Sequence, residues 1–218
     1  MEREVFIKAA EDYGYARSRL VGRLVNPSRC DLSDRPHREW KDLALVYELL
    51  NVSFDKEISD KKYIHGYKHV VASDLTLWGV TEDDLYRQAF VNMSIWDPIQ
   101  INSILEGPIP IIELNANFIK GQMCSIADSL CLCGASNVCY PGVLERLGEQ
   151  FEEDFYIFPS TEIEMMLMPV SYVEKFHNSV RDILELQTGV SGEWETLSEN
   201  VYIYRKETGT VEILKLAA

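Results

Sequence analysis

An eight-residue phrase occurs twice in this chain, 55 positions apart. Ala72-Ser73-Asp74-Leu75-Thr76-Leu77-Trp78-Gly79 returns as Ala127-Asp128-Ser129-Leu130-Cys131-Leu132-Cys133-Gly134, with Ala, Leu, Leu and Gly in register. Each copy follows an apolar run and precedes a helical pattern, so the phrase predicts one strand-to-helix corner built twice. No nucleophile motif, phosphate-binding glycine loop or metal-ligand spacing accompanies it, and the repeat is therefore an architectural signal rather than a chemical one.

The segments around the two copies extend the same plan. Leu43-Ala44-Leu45-Val46-Tyr47 and Tyr63 to Ala72 read as an antiparallel pair across the polar bridge Phe54 to Lys62. Thr81 caps a helix from about Glu82 to Asn92, with carboxylates in its first turn facing the positive end of the dipole. Ser94 to Pro110, with three prolines, reads as a long loop. Strands follow around Ile111 to Ile119 and Gln122 to Ile126, and Pro141 opens a helix through Leu147. Phe155-Tyr156-Ile157-Phe158 and Met165-Met166-Leu167-Met168 predict a hairpin. Ser171 to Glu174 has capping-box spacing ahead of an apolar face from Phe176 to Leu186, and Val201 to Tyr204 with Val211 to Leu214 predict a closing hairpin. The expectation is an α+β fold: a single domain over 1–218 of repeated strand-strand-helix units with largely antiparallel sheet pairing. Residues 1–30 carry no pattern that assigns them.

With 46% apolar residues in 218, the chain can close one substantial core. Thirty-five acidic against 21 basic residues give a formal charge of −14, which repels phosphate backbones and anionic lipid surfaces. Neither nucleic acid nor a membrane is expected as a partner. There is no long uncharged apolar run and no leader-like N-terminus, so a cytoplasmic location is expected. The five cysteines are odd in number and lack a Cys-x-x-Cys pair, so they are expected as reduced thiols, with no metal site and no cofactor implied.

Arg23-Leu24-Val25-Asn26, Pro36-His37-Arg38-Glu39, Asp42 to Tyr47, Leu77-Trp78-Gly79-Val80, Tyr140 to Leu144, Phe155 to Ser160 and Leu197 to Tyr202 occur in that order. Together, from about residue 12 to the end, they resemble a bacterial family catalogued only as a domain of unknown function, number 5688. The resemblance implies a coherent fold and a bacterial origin, and no activity, cofactor or catalytic residue. Members of that family tend to extend further upstream, so the resemblance implies the expectation of a short member or of one lacking an N-terminal piece. Members also commonly carry a histidine where this sequence has Ile163.

Candidate ligand-binding residues are Asp74 and Asp128, from the two copies of the phrase, together with His37 and Tyr140. For the aspartates the competing expectation is structural, because a short carboxylate at such a corner caps the turn that follows. His65 and His69 suit a metal only with a third ligand, and they are expected on a polar sheet face. Glu162 and Glu164 are expected on a solvated strand face. Trp96, in the predicted long loop, is the candidate interaction residue. The leading functional expectation is a non-enzymatic protein-interaction or regulatory module, with a protein partner or self-association. The alternative is a small-molecule-binding sensor or enzyme with its pocket near the repeated corners.

Overall fold

The structure is a computed structural model, and it describes residues 2–55, 61–96, 99–103, 107–111, 120–128, 132–175, 179–191 and 196–214. Two short helices, α1 (Arg3–Ala9) and α2 (Tyr13–Arg17), lead into β1 (Leu20–Val25). Asp12 caps α2 by accepting from Tyr15 N at 3.0 Å. Strands β2 (His37–Trp40), β3 (Leu43–Asp55) and β4 (Lys61–His69) complete a four-stranded antiparallel sheet. Strand β3 is its spine. Leu45 faces Leu24 of β1 and Arg38 of β2, while Glu48 faces Val21 of β1 and His69 of β4. Strand β1 therefore holds one edge of β3, and β2 and β4 share the other in succession.

Helices α3 (Ala72–Trp78) and α4 (Glu82–Trp96) follow. Thr81 and Asp84 form a reciprocal capping box at the start of α4, with Thr81 N donating to Asp84 Oδ2 at 2.9 Å and Asp84 N to Thr81 Oγ1 at 3.3 Å. The helix runs past the expected end and buries Leu85, Ala89 and Met93. It also overturns the expected long loop, since Trp96 is the last helical residue and β5 (Ile99–Ser103) and β6 (Gly107–Pro110) lie beyond it. The side chain of Trp96 lies outside the described residues, as do the whole of Trp194 and the expected strand over 112–119.

A seven-stranded antiparallel sheet forms from the rest, in the order β11-β10-β8-β9-β7-β5-β6. Its remaining members are β7 (Cys124–Asp128), β8 (Phe155–Phe158), β9 (Glu164–Pro169), β10 (Val201–Arg205) and β11 (Thr210–Leu214). Both expected hairpins are there, β8–β9 and β10–β11. A 3-10 helix, Gly134–Cys139, precedes α5 (Val143–Phe151). Two helices, α6 (Val170–Lys175) and α7 (Val180–Ser191), occupy the predicted 171–189 region. There the reciprocal capping pair is Ser179 with Asp182, while Ser171 bonds Glu153 instead of Glu174.

The fold is thus α+β with antiparallel pairing, but the two copies of the phrase do not fold alike. The first is the helix α3 with Gly79 as its left-handed C-cap, and the second starts as the end of β7 and closes on the 3-10 helix. One apolar cluster spans both sheets, with Leu24, Leu45, Tyr47 and Leu49 from the first meeting Ile126, Ile157 and Tyr202 from the second. Asp42, in the β2–β3 turn, ties the sheets by accepting from Ser198 Oγ, Asn200 Nδ2 and Tyr202 OH at 2.6, 2.9 and 2.6 Å. Burial opposes ionisation of Asp42, but these three donors outweigh it and hold its carboxyl below the usual range.

Candidate functional site

Of the predicted ligand candidates, Asp74, Asp128 and His37 are each committed locally, while the buried Tyr140 hydroxyl has no hydrogen-bond partner among the described residues. Asp74 accepts from Val71 N at 2.9 Å and is ion-paired with Lys68. This is half of a capping box, because Val71 has no side-chain acceptor to complete it. Asp128 accepts from Leu132 N and Cys133 N at 2.8 and 2.7 Å. His37 is exposed on β2, with Nδ1 2.8 Å from Arg35 O. Tyr140 is buried, stacked on Phe90 at 5.2 Å between ring centroids. Burial raises its phenol well above the ordinary value. Burial raises the cysteines Cys124, Cys133 and Cys139 in the same way, Cys124 to about 12, and so disfavours their thiolate forms.

The charged centre of the molecule lies elsewhere. The run Leu43 to Val52 is apolar but for Glu48 and Asn51, and β3 is buried along Leu43–Leu50. Glu48 is only 1% exposed. Strand alternation sends Leu45, Tyr47 and Leu49 into the main core and turns Val46 and Glu48 to the opposite face. On that face Arg23 stands opposite Val46, diagonal to Glu48, and His69 stands directly opposite Glu48 on the other edge.

Glu48 collects three basic side chains. Arg23 Nε lies 3.0 Å from Oε2, off the line of a hydrogen bond, so this contact is an electrostatic pairing. Arg35 Nη2 donates to Oε1 at 3.4 Å, and His69 Nδ1 lies 3.0 Å from the same oxygen. The outer side of Arg23 is also occupied: Nη1 donates to Glu162 Oε2 at 3.0 Å, and the guanidinium sits 5.0 Å from the Tyr67 ring centroid. Burial disfavours the Arg23 charge, but Cys133, Glu48 and Glu162 outweigh it and raise the pKa further. Of these three, the two carboxylates carry the charge at neutral pH. Arg35 Nη1 lies 3.2 Å from Cys30 Sγ, and Arg35 Nε is buried without an acceptor among the described residues.

These groups line a cavity of about 310 Å³. The 26–35 segment forms one wall. Arg29 Nη1 donates to Thr196 O at 2.7 Å and Asn26 Nδ2 to Leu197 O at 3.0 Å, fastening that wall to the chain entering β10. A neighbouring cavity of about 350 Å³ shares Asn26 and Arg29 and reaches Asp42 and Ser198. The first cavity holds three arginines against two glutamates, an excess of one positive charge. That excess sits in a chain carrying −14 overall.

Buried ion networks contribute little to stability compared with apolar packing of the same volume. Their use is geometric. Glu48 fixes the inner edges of two guanidinium forks, and a planar fork is the side chain best matched to a carboxylate or phosphate. Among the described residues no group of three or more His, Cys, Asp or Glu side chains is arranged to hold a metal. His69, expected with His65 on a polar sheet face, is exposed on its strand and places Nδ1 3.0 Å from Glu48 Oε1. Glu162 and Glu164 do not share a solvated strand face either: Glu162 precedes β9 and pairs with Arg23, while Glu164 accepts from Ser125 Oγ at 3.0 Å.

Sequence reading missed Arg29, Arg35, Glu48 and His69 as parts of one site. The available signal was Glu48 itself, the one charge inside an apolar strand. Arg23, Val25, Asn26 and Leu197 line the same cavity, and all four belong to the segments that carried the family resemblance.

Fold and site together define an α+β protein of two antiparallel sheets with an arginine-lined cleft where the first sheet meets the chain entering the second. The chain belongs to a family of unknown function, DUF5688, whose model matches residues 1–206. No curated protein and no solved structure matches it. No helix among the described residues is long and apolar enough to cross a membrane.

Proposed function

We propose that the protein is a non-enzymatic regulatory module of the cytoplasm whose input is a small anionic metabolite bound in the cleft of Arg23, Arg29 and Arg35. The observation that supports this most is the positive excess around the buried Glu48, opening into a cavity of ligand size in an otherwise acidic chain. The remaining acidic surface disfavours nucleic acid and makes a protein partner or a second copy the natural reader of the bound state. The ligand pocket of this proposal lies on the face of the first sheet opposite the main core and borders both copies of the repeated phrase: Ala72 N donates to Asp34 O beside Arg35, and Gly134 packs against Ile163 beside Glu162.

Thermal denaturation of the wild-type protein against succinate, citrate and inorganic phosphate tests the reading. A ligand at a hundred times its Kd adds about 2.7 kcal/mol to stability, which at this chain length raises Tm by roughly 5 to 10 °C. Arg23→Met should abolish the rise. A flat response to all three anions in the wild type counts against an anion cleft.

A further inference from the structure

Glu48 and Glu162 both hold Arg23, but they hold it differently. Glu48 has 2% of its side chain exposed and is gripped by three basic groups. Glu162 has 43% exposed, and Arg23 is the one partner of its carboxylate among the described residues. It also stands outside the strands, in the turn between β8 and β9. The backbone there is fixed without the carboxylate: Ala135 N donates to Glu162 O at 3.3 Å, and Thr161 N to Glu164 O at 3.2 Å. The side chain can therefore swing away while the turn stays in place. With Glu162 43% exposed and Arg23 17%, this half-exposed pair is much easier to open than the enclosed cluster around Glu48.

We propose that Glu162 is a built-in competitor: its carboxylate occupies the position on Arg23 that a ligand carboxylate or phosphate takes, and binding displaces it while Glu48 stays. This rests on the anion-cleft reading above and adds to it the docking atom, Arg23 Nη1, and the ligand class. The ligand is a small molecule with at least two anionic oxygens for the outer edge of one fork, within a cavity of about 310 Å³. The Tyr67 ring, half exposed beside the same guanidinium, offers a face to the ligand's carbon skeleton.

The competition has a size. A pair worth about 1 kcal/mol is closed roughly five-sixths of the time, and apparent affinity scales with the open fraction. Neutralising the competitor should tighten binding by about sixfold. Isothermal titration of wild type, Glu162→Gln and Arg23→Met with succinate, and separately with inorganic phosphate, reads this directly, and Glu162→Ala repeats it with the side chain removed. The expected result is wild-type binding, a roughly sixfold lower Kd in both Glu162 variants, and none in Arg23→Met. The probe that gains more identifies carboxylate or phosphate as the group admitted. Wild-type binding that Glu162→Gln and Glu162→Ala leave equal or weaker overturns the competitor and spares the cleft. No binding of either probe to wild type or to the Glu162 variants overturns both.

Discussion

Residues 72–79 and 127–134 share four letters in register and end in different structures. In the first copy the chain is helical, Leu75 packs against the core, Leu77 is 60% exposed, and Gly79 ends the helix at φ 67° with open space around it. In the second, Ala127 pairs with Gln100 of β5 on one edge and Glu164 of β9 on the other. Gly134 lies so close to β7 that an added Cβ would meet Ala127 Cα at 2.6 Å and Ile163 O at 2.2 Å. Sheet partners on both edges override the local preference that the first copy is left to express. Asp74 and Asp128 both collect backbone N–H groups, yet one sits inside the first turn of a helix and the other closes the exit of a strand.

The sharpest way to break the comparison is alanine at each glycine. Gly134→Ala pushes a methyl into backbone, which cannot move aside as a side chain can. A loss of about 3 kcal/mol or more is expected, enough to leave little folded protein. Chemical denaturation or soluble yield will read it. A loss under 1 kcal/mol would mean that the 3-10 helix does not press on β7 as closely as the geometry has it.

Asp128→Ala comes next. It strands the N–H groups of Leu132 and Cys133 beside a residue that is 2% exposed, and a buried donor without an acceptor costs about 1 to 3 kcal/mol. With two donors affected, about 2 to 4 kcal/mol is expected. Asp74→Ala removes a single N–H acceptor and the Lys68 pair at a helix start, for about 1 kcal/mol. Urea midpoints of the two variants should therefore separate clearly. Equal losses would show that the two aspartates do the same work after all.

The difference between the copies also marks what could be read in advance. The two hairpins Phe155–Met168 and Val201–Leu214 were legible because short β-rich runs bounded by turn residues carry their pairing within a few positions. Helix α4 was legible from Thr81 and the acidic residues after it. The repeated phrase was misleading because nothing inside eight residues records whether a sheet edge waits on either side. The cleft was harder still. Arg23, Arg35, Glu48, His69 and Glu162 come from five separate stretches, and only the four-stranded register and the turn before β9 bring them together. One of them could have raised the question: a carboxylate within an apolar strand needs basic partners on the same face, and Arg23 and His69 stand there.

The smallest effect belongs to Gly79, and it separates conformation from space. An added Cβ at Gly79 meets nothing within 4 Å, so Gly79→Ala is strained by the left-handed backbone alone and should cost about 1 kcal/mol. Asparagine tolerates that conformation better than alanine, so Gly79→Asn should recover part of the loss. At Gly134, where no positive φ is involved and backbone fills the space, Gly134→Asn should be worse than Gly134→Ala. Stability measured across the four variants thus carries its own sign test. Asparagine must help at one glycine and harm at the other if the two copies owe their shared letter to different physics.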